Sequence, residues 1–215
     1  MILVPVKNLA NAKQRLAQAM EQSARTELAH AMLEDVLQAL AESAADKVSL
    51  VTSDPFAVEL ADHHRFAVIR DESNLSETAA IEMATRVCES RGIQSTLVIP
   101  ADIPLIEVED IRAIYESAPA KGTVLVPSSD QRGTNAVLRR PAALFPLRFG
   151  NDSFMPHLMA AIATHSTCVV LSLPRIALDI DNPEDLQQLV NAGSEKRSQR
   201  LARKLGFSEA VAVDA

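Results

Sequence analysis

Tryptophan is absent from the 215-residue chain and tyrosine occurs once, at Tyr115, so the aromatic platforms that stack single-stranded nucleic acid are missing. Cysteine is nearly as scarce. Cys88 and Cys168 form neither a CxxC pair nor a zinc-ligand cluster, which argues against a disulfide framework and fits a reducing compartment. Glycine occurs at 92, 122, 133, 150, 193 and 206, too sparsely for GxGxxG or GxxxxGK, so the dinucleotide fingerprint and the Walker loop are excluded. GxSxG, HExxH and the deaminase pattern HxE…PCxxC are missing too. No window reaches the ~20 apolar residues that cross a bilayer, and the opening MILVPVKNLANAK lacks a basic segment followed by a long apolar one. The expectation is a cytoplasmic protein, neither exported nor embedded in a membrane. Positive charge is in deficit: 21 Lys and Arg against 28 Asp and Glu leave a net charge of −7, which disfavours general nucleic-acid binding. A polyanionic ligand has to meet a local basic site.

What remains is an ordinary globular composition, 47% hydrophobic and 23% charged, in a chain of the size of one domain. Short apolar runs at 1–6, 47–53, 66–69, 95–100 and 122–127 read as strands. Between them, apolar residues recur at three- and four-residue steps, most clearly at Leu28, Met32, Leu33, Val36, Leu37 and Leu40. Alternation of this kind predicts an α/β fold with a mostly parallel sheet, and the uninterrupted run STLVIP predicts its central strand. A further strand is expected at 134–139, a helix at 153–165, strands near 167–173 and 176–180, and a helix from Pro183 capped by Asn182. The organisation expected is a domain over 1–193 followed by a basic C-terminal helix and tail over 194–215, whose cations read first as a solvated face.

Four segments carry chemistry. LVPVK followed by NAKQRL delivers Lys7, Lys13 and Arg15 from the first strand into a loop over the sheet edge, where open α/β sheets bind ligands. A triphosphate suits them, although ordinary solvated cations would look the same. IPADIPL ends the most apolar strand on Asp102, which reads either as a Mg²⁺ ligand or as the cap of the helix starting near Glu107. DIDNP offers Asp179 and Asp181 on one side of an extended strand; either could complete a metal site with Asp102, and Asp181 could equally be a helix cap. SSDQRGTN and FGNDS bring small hydroxyl and amide donors beside Gly133 and Gly150, as a phosphorylated small molecule requires, with Ser153 alternatively capping the next helix.

The ordered series LVPVKNLANAKQRL, IPADIPLI, DQRGTNAV, FGNDSF and LDIDNPEDL resembles the CofC/FbiD family, guanylyltransferases of coenzyme F420 biosynthesis related to the MobA-like nucleotidyltransferases, from residue 2 to about 190. The resemblance implies a three-layer Rossmann-like GT-A fold. It also implies transfer of GMP from GTP to 2-phospho-L-lactate, phosphoenolpyruvate or 3-phospho-D-glycerate, with release of pyrophosphate. Residue by residue, Thr134, Gly150 and Ser153 match the positions that hold the phospho-acid, and Asp102 and Asp181 the Mg²⁺ ligands. Lys7, Lys13 and Arg15 fall in the nucleotide-phosphate loop, with Lys13, Arg15 and Asp102 expected to act in catalysis. The partners it implies are GTP and the phospho-acid; a downstream transferase of the pathway and a second copy of the chain are the further partners considered, and the sequence leaves the oligomeric state open. Residues 73–80, SNLSETAA, depart from the Gly-Leu-Asn-Ala-Ala type of sequence at that place. The competing readings are a MobA-like enzyme with another acceptor, against which the missing LAGGxSxRMG-type loop speaks, and a nucleotide-binding regulatory module without catalysis.

Overall fold

The structure is a computed structural model and describes residues 1–43, 47–73 and 75–207. Among these residues, seven strands form one sheet in the order β3-β2-β1-β4-β6-β5-β7. The strands are β1 (Ile2–Pro5), β2 (Val48–Val51), β3 (Ala67–Ile69), β4 (Thr96–Val98), β5 (Gly122–Pro127), β6 (Thr134–Arg140) and β7 (Thr167–Val170). All neighbours pair in parallel except β6, which runs antiparallel to both β4 and β5. β4, from the STLVIP run, is the middle strand, as its unbroken hydrophobicity predicts.

Side chains alternate across the sheet with period two, so β1 places Ile2 and Val4 in one hydrophobic core and Leu3 in the other. The first core is covered by α1 (Gln22–Glu42), α2 (Pro55–His63), α4 (Val108–Glu116), α7 (Pro183–Asn191) and α8 (Arg197–Lys204), with the four-residue α6 (Pro174–Ala177) at its margin. The second is covered by α3 (Glu77–Ser90) and α5 (Phe154–Ala163). Three layers result, with both sheet faces buried, as parallel strands require.

The strand expected at 176–180 is not formed. Pro174 starts α6 instead, and the Ile180 N–H donates to the Asp102 carbonyl at 3.0 Å rather than to a ladder. The basic C-terminal helix packs onto the domain through its other face. Ala202 is fully buried, and Asp35 of α1 accepts hydrogen bonds from the backbone N–H groups of Arg197 and Ser198, each at 2.9 Å. Arg197 pairs with Glu34 of α1, and Lys196, just before α8, with Glu107 at the start of α4. The tail expected beyond it, at 208–215, lies outside the described residues.

Candidate active site

The carboxyl ends of β1, β4 and β5 and the amino end of β6 converge on one edge of the sheet, and two cavities open there. The first, about 470 Å³, is lined by the loop from Pro5 to Arg15. The second, about 720 Å³, is lined by the loops that contain Thr134, Gly150 and Ser153. Arg15, Glu77, Asp102 and Asp181 belong to the walls of both. These four side chains stand at the junction of the two spaces.

Lys13 organises that junction. Its Nζ donates to Asp102 Oδ2 at 2.7 Å and to Asp181 Oδ1 at 3.0 Å. Burial alone would lower the Lys13 pKa, but the two carboxylates outweigh it and hold the ammonium above the ordinary lysine value. The residue adopts φ 54° and ψ 46°, a left-handed conformation that costs a non-glycine residue about 1–2 kcal/mol. Arg15 joins the two halves: Nη1 donates to Asp181 Oδ2 at 3.0 Å and Nη2 to Asn151 Oδ1 at 3.3 Å. Lys7 lines the first cavity, but its ammonium pairs with the buried Asp71 at 2.6 Å and does not join the Asp102–Asp181 group.

The capping alternatives for the two aspartates fall away. α4 is capped by Glu107 with Asp110, and α7 by Asn182 with Asp185 in a reciprocal pair. Asp102 and Asp181 are therefore both turned to Lys13. Asp179 lines the second cavity with them but takes a different partner: it accepts from Asn135 Nδ2 at 2.9 Å. Its pKa is raised, first by burial and then by Asp102 and Asp181, with the Asn135 bond opposing.

On the other side, Ser153 does not cap α5 through its hydroxyl. Its Oγ accepts the Thr134 N–H at 3.0 Å, tying the FGNDS loop to the start of β6. Gly150 has φ 122°, a conformation that L side chains resist, although space for a Cβ exists. Arg132 pairs with Asp152 at 2.5 Å and closes the same loop against residues 128–133.

Sequence reasoning missed Glu77. Ser76 caps α3, and a carboxylate in the next position reads as a complement to the helix dipole. The fold instead aims it at the junction, where burial first, and then the Asp102 and Asp181 charges, push its pKa up to about 7 against the pull of Lys7 and Lys13. The signal available was its place in the segment that departs from the family pattern.

Cations presented from one loop, a carboxylate pair at the cavity junction and a donor-rich pocket beyond it, on a three-layer α/β scaffold, are the attributes of a nucleotidyltransferase. The family model described as "Guanylyl transferase CofC like" matches residues 1–213, and the chain belongs to that family. It is 36% identical to a phosphoenolpyruvate guanylyltransferase of Rubrobacter xylanophilus, over 93% of this chain and 98% of that one. It is 30% identical to a 2-phospho-L-lactate guanylyltransferase of Methanothermobacter thermautotrophicus, over 96% and 91%. Among solved structures, a protein of Desulfovibrio desulfuricans provisionally named a nucleotide-diphospho-sugar transferase shares the fold with a TM-score of 0.78 at 20% identity, over 94% and 93% of the two chains. A 4-diphosphocytidyl-2C-methyl-D-erythritol synthase shares it with a TM-score of 0.58 at 14% identity, over 86% and 93%. Among the described residues, no helix is long and apolar enough to cross a membrane.

Proposed function

We propose that the chain transfers GMP from GTP to a phosphorylated three-carbon acid and releases pyrophosphate, as a step of coenzyme F420 biosynthesis. The observation that carries this reading is the junction of two cavities at Lys13, Arg15, Asp102 and Asp181. GTP occupies the first cavity with its α-phosphate at the junction, and the phospho-acid occupies the second. A phosphate oxygen of the acid forms a bond to the α-phosphorus, the bond from that phosphorus to the bridging oxygen of the β-phosphate breaks, and pyrophosphate takes the electron pair. The attacking phosphate is mostly a dianion near pH 7, its second pKa being about 6, so no protein base is needed. Lys13 and Arg15 hold the α-phosphate and pyrophosphate oxygens in line.

The donor set suits Mg²⁺. Asp102 and Asp181 already share one cationic group, the Lys13 ammonium, so their hard oxygens can face a single ion. Among the described residues no cluster of three or more His, Cys, Asp or Glu is arranged for a metal, which leaves the remaining positions to phosphate oxygens and water, the usual pattern for this ion. Bound there, Mg²⁺ would supply charge neutralisation at the reacting phosphate.

Phosphoenolpyruvate is the first acid to test, because the relatives at 36% and 34% identity carry that name; 2-phospho-L-lactate and 3-phospho-D-glycerate follow. Purified protein with Mg²⁺, GTP or ATP and each acid in turn should release pyrophosphate with GTP and one acid, with the product identified by mass. The labile diphosphate product would pass to a downstream transferase, the second partner proposed. Folded protein that is silent with all three acids would move the reading to another acceptor.

A second copy of the chain is the third partner. Residues 153–174 contain no Asp, Glu, Lys or Arg, and within them Met155, Met159 and Ile162 are exposed on one face of α5, with Val170 exposed on the edge strand β7. In a chain of net charge −7, a neutral face is where a two-fold contact escapes self-repulsion. Sedimentation of the wild type and of Met159→Glu should show a dimer and a monomer; a monomeric wild type would remove this partner.

A further inference from the structure

His157 lies in the first turn of α5, 1% exposed and outside the cavity walls, yet it touches the acceptor pocket through Thr134. Its Nε2 is 2.8 Å from the backbone nitrogen of Arg148. A backbone N–H can only donate, so Nε2 carries a lone pair, and a neutral imidazole must then hold its proton on Nδ1. Nδ1 is 2.9 Å from Thr134 Oγ1, and the hydrogen bond therefore runs from the ring to the hydroxyl. Thr134 Oγ1 is an acceptor in that bond, and its own hydrogen has no protein acceptor among the described residues. Ser153 repeats the arrangement one step away: its Oγ accepts the Thr134 N–H, and its hydrogen is likewise left over. Both residues line the second cavity.

We propose that His157 is a positioning residue that commits the Thr134 hydroxyl to donate into the acceptor pocket, where with Ser153 it selects a ligand group that offers only acceptor oxygens. The identity of that ligand rests on the function proposed above; the direction of the hydrogen bonds does not. Phe145 and Phe149 pack on the imidazole with ring centroids at 6.4 and 5.2 Å, and burial, reinforced by the Arg139 charge, pulls its pKa down to about 4. The ring is therefore neutral near pH 7. A fully ionised phosphate or a carboxylate satisfies two O–H donors at once. A ligand hydroxyl in the same place competes with them for acceptors and is disfavoured.

The direct test is the ¹⁵N spectrum of the wild-type imidazoles, assigned with the help of His157→Phe. The proposal requires a protonated Nδ1 and an unprotonated Nε2 for His157, and the opposite tautomer overturns it. In steady-state kinetics, His157→Phe keeps an aromatic ring and removes both hydrogen bonds of the imidazole, to Thr134 and from the Arg148 N–H. It should raise KM for the phospho-acid about tenfold or more while KM for GTP stays within about twofold, as expected for a lost bond to a charged group. Thr134→Val should do the same, and the double variant should be no worse than Thr134→Val alone, because the histidine acts through that hydroxyl. His157→Asn, whose amide N–H can take the place of Nδ1–H, should recover part of the loss. Equal rises in both KM values, or additive effects of the two substitutions, would show a merely structural histidine and overturn the proposal. Wild-type protein that turns over none of the acids would instead overturn the substrate reading, and the ¹⁵N spectrum would still decide the tautomer.

Discussion

The Lys13 ammonium, on the wall of the first cavity, lies 2.7 Å from Asp102 Oδ2, which lines both cavities, across 89 residues of sequence. This pairing, with Asp181 as its second acceptor, makes one charged centre from the loop after β1, the loop after β4 and the loop before α7. On the function proposed above, such a centre would need neither a glycine-rich phosphate loop nor a nucleophilic side chain. The reaction proposed is a matter of position and charge, which these three residues would supply.

Substitution of either carboxylate should abolish most turnover without unfolding the chain. Asp102→Asn and Asp181→Asn are isosteric, and both side chains are about a third exposed, at 30% and 36%, so the fold should survive. A fall in kcat on the order of 10²–10³ is expected, the size seen when one preorganised charge-stabilising group is lost. The Mg²⁺ concentration needed for half-maximal rate should rise in both. Full turnover by Asp102→Asn would sink the assignment.

Arg15 predicts a different signature. Its side chain is 63% exposed and spans from Asp181 to Asn151, so it ties the loop after β1 to the FGNDS loop. Arg15→Ala should change stability by less than about 0.5 kcal/mol, as exposed positions do, and lower kcat/KM about tenfold or more. Arg15→Lys should not recover the activity, since an ammonium cannot reach both partners as a fork does. Chemical denaturation and initial rates check the two halves separately; a variant with normal kcat/KM would leave Arg15 as a surface cation.

Most of this architecture was legible because both sheet faces are buried. Strands covered on both sides read as unbroken apolar runs, and the helices between them as amphipathic periods, so the element order follows from hydrophobicity alone. Where backbone partners decide the conformation, the pattern misleads: the apolar and acidic residues at 176–180 look extended, but Pro174 starts a helix there and Asp102 takes the Ile180 N–H. The site was legible in part for a related reason. Asp102, Asp181, Lys13 and Arg15 stand at strand ends or in the loops beside them, where side chains must face the sheet edge. Glu77 and His157 each sit in the first turn of a helix, a place with an ordinary reason to be polar or to be part of the packing. Only the tertiary arrangement shows that one faces the cavity junction and the other holds Thr134.

The attachment of α8 gives a stability prediction. Asp35 accepts from Arg197 N, Ser198 N and Ser198 Oγ, the last at 2.6 Å, so a side chain of α1 serves as the N-cap of another helix. Asp35→Ala leaves two backbone N–H groups without their acceptor at a largely buried helix start and should cost about 1–3 kcal/mol. Amide exchange should quicken in α8 and leave the β1–β4 pair protected. Unchanged protection in α8 would mean that its apolar face, Ala202 included, suffices to hold it.

Glu77 makes stability depend on pH with a definite sign. Its folded-state pKa of about 7 stands above the ordinary value of 4.5, so the folded chain binds this proton more tightly than the unfolded chain. The stabilisation from that proton is complete below pH 4.5 and is lost as the pH rises through about 7. Glu77→Gln keeps the shape and removes the charge. It should match the wild type near pH 4.5 and become the more stable protein by pH 8.5, by on the order of 1–3 kcal/mol for a side chain that is only partly exposed. Denaturation with a chelator present, at several pH values, reads the difference without interference from divalent ions. Two stability curves that stay parallel across this range would show that the carboxylate is ionised in solution contact and not pressed against Asp102 and Asp181.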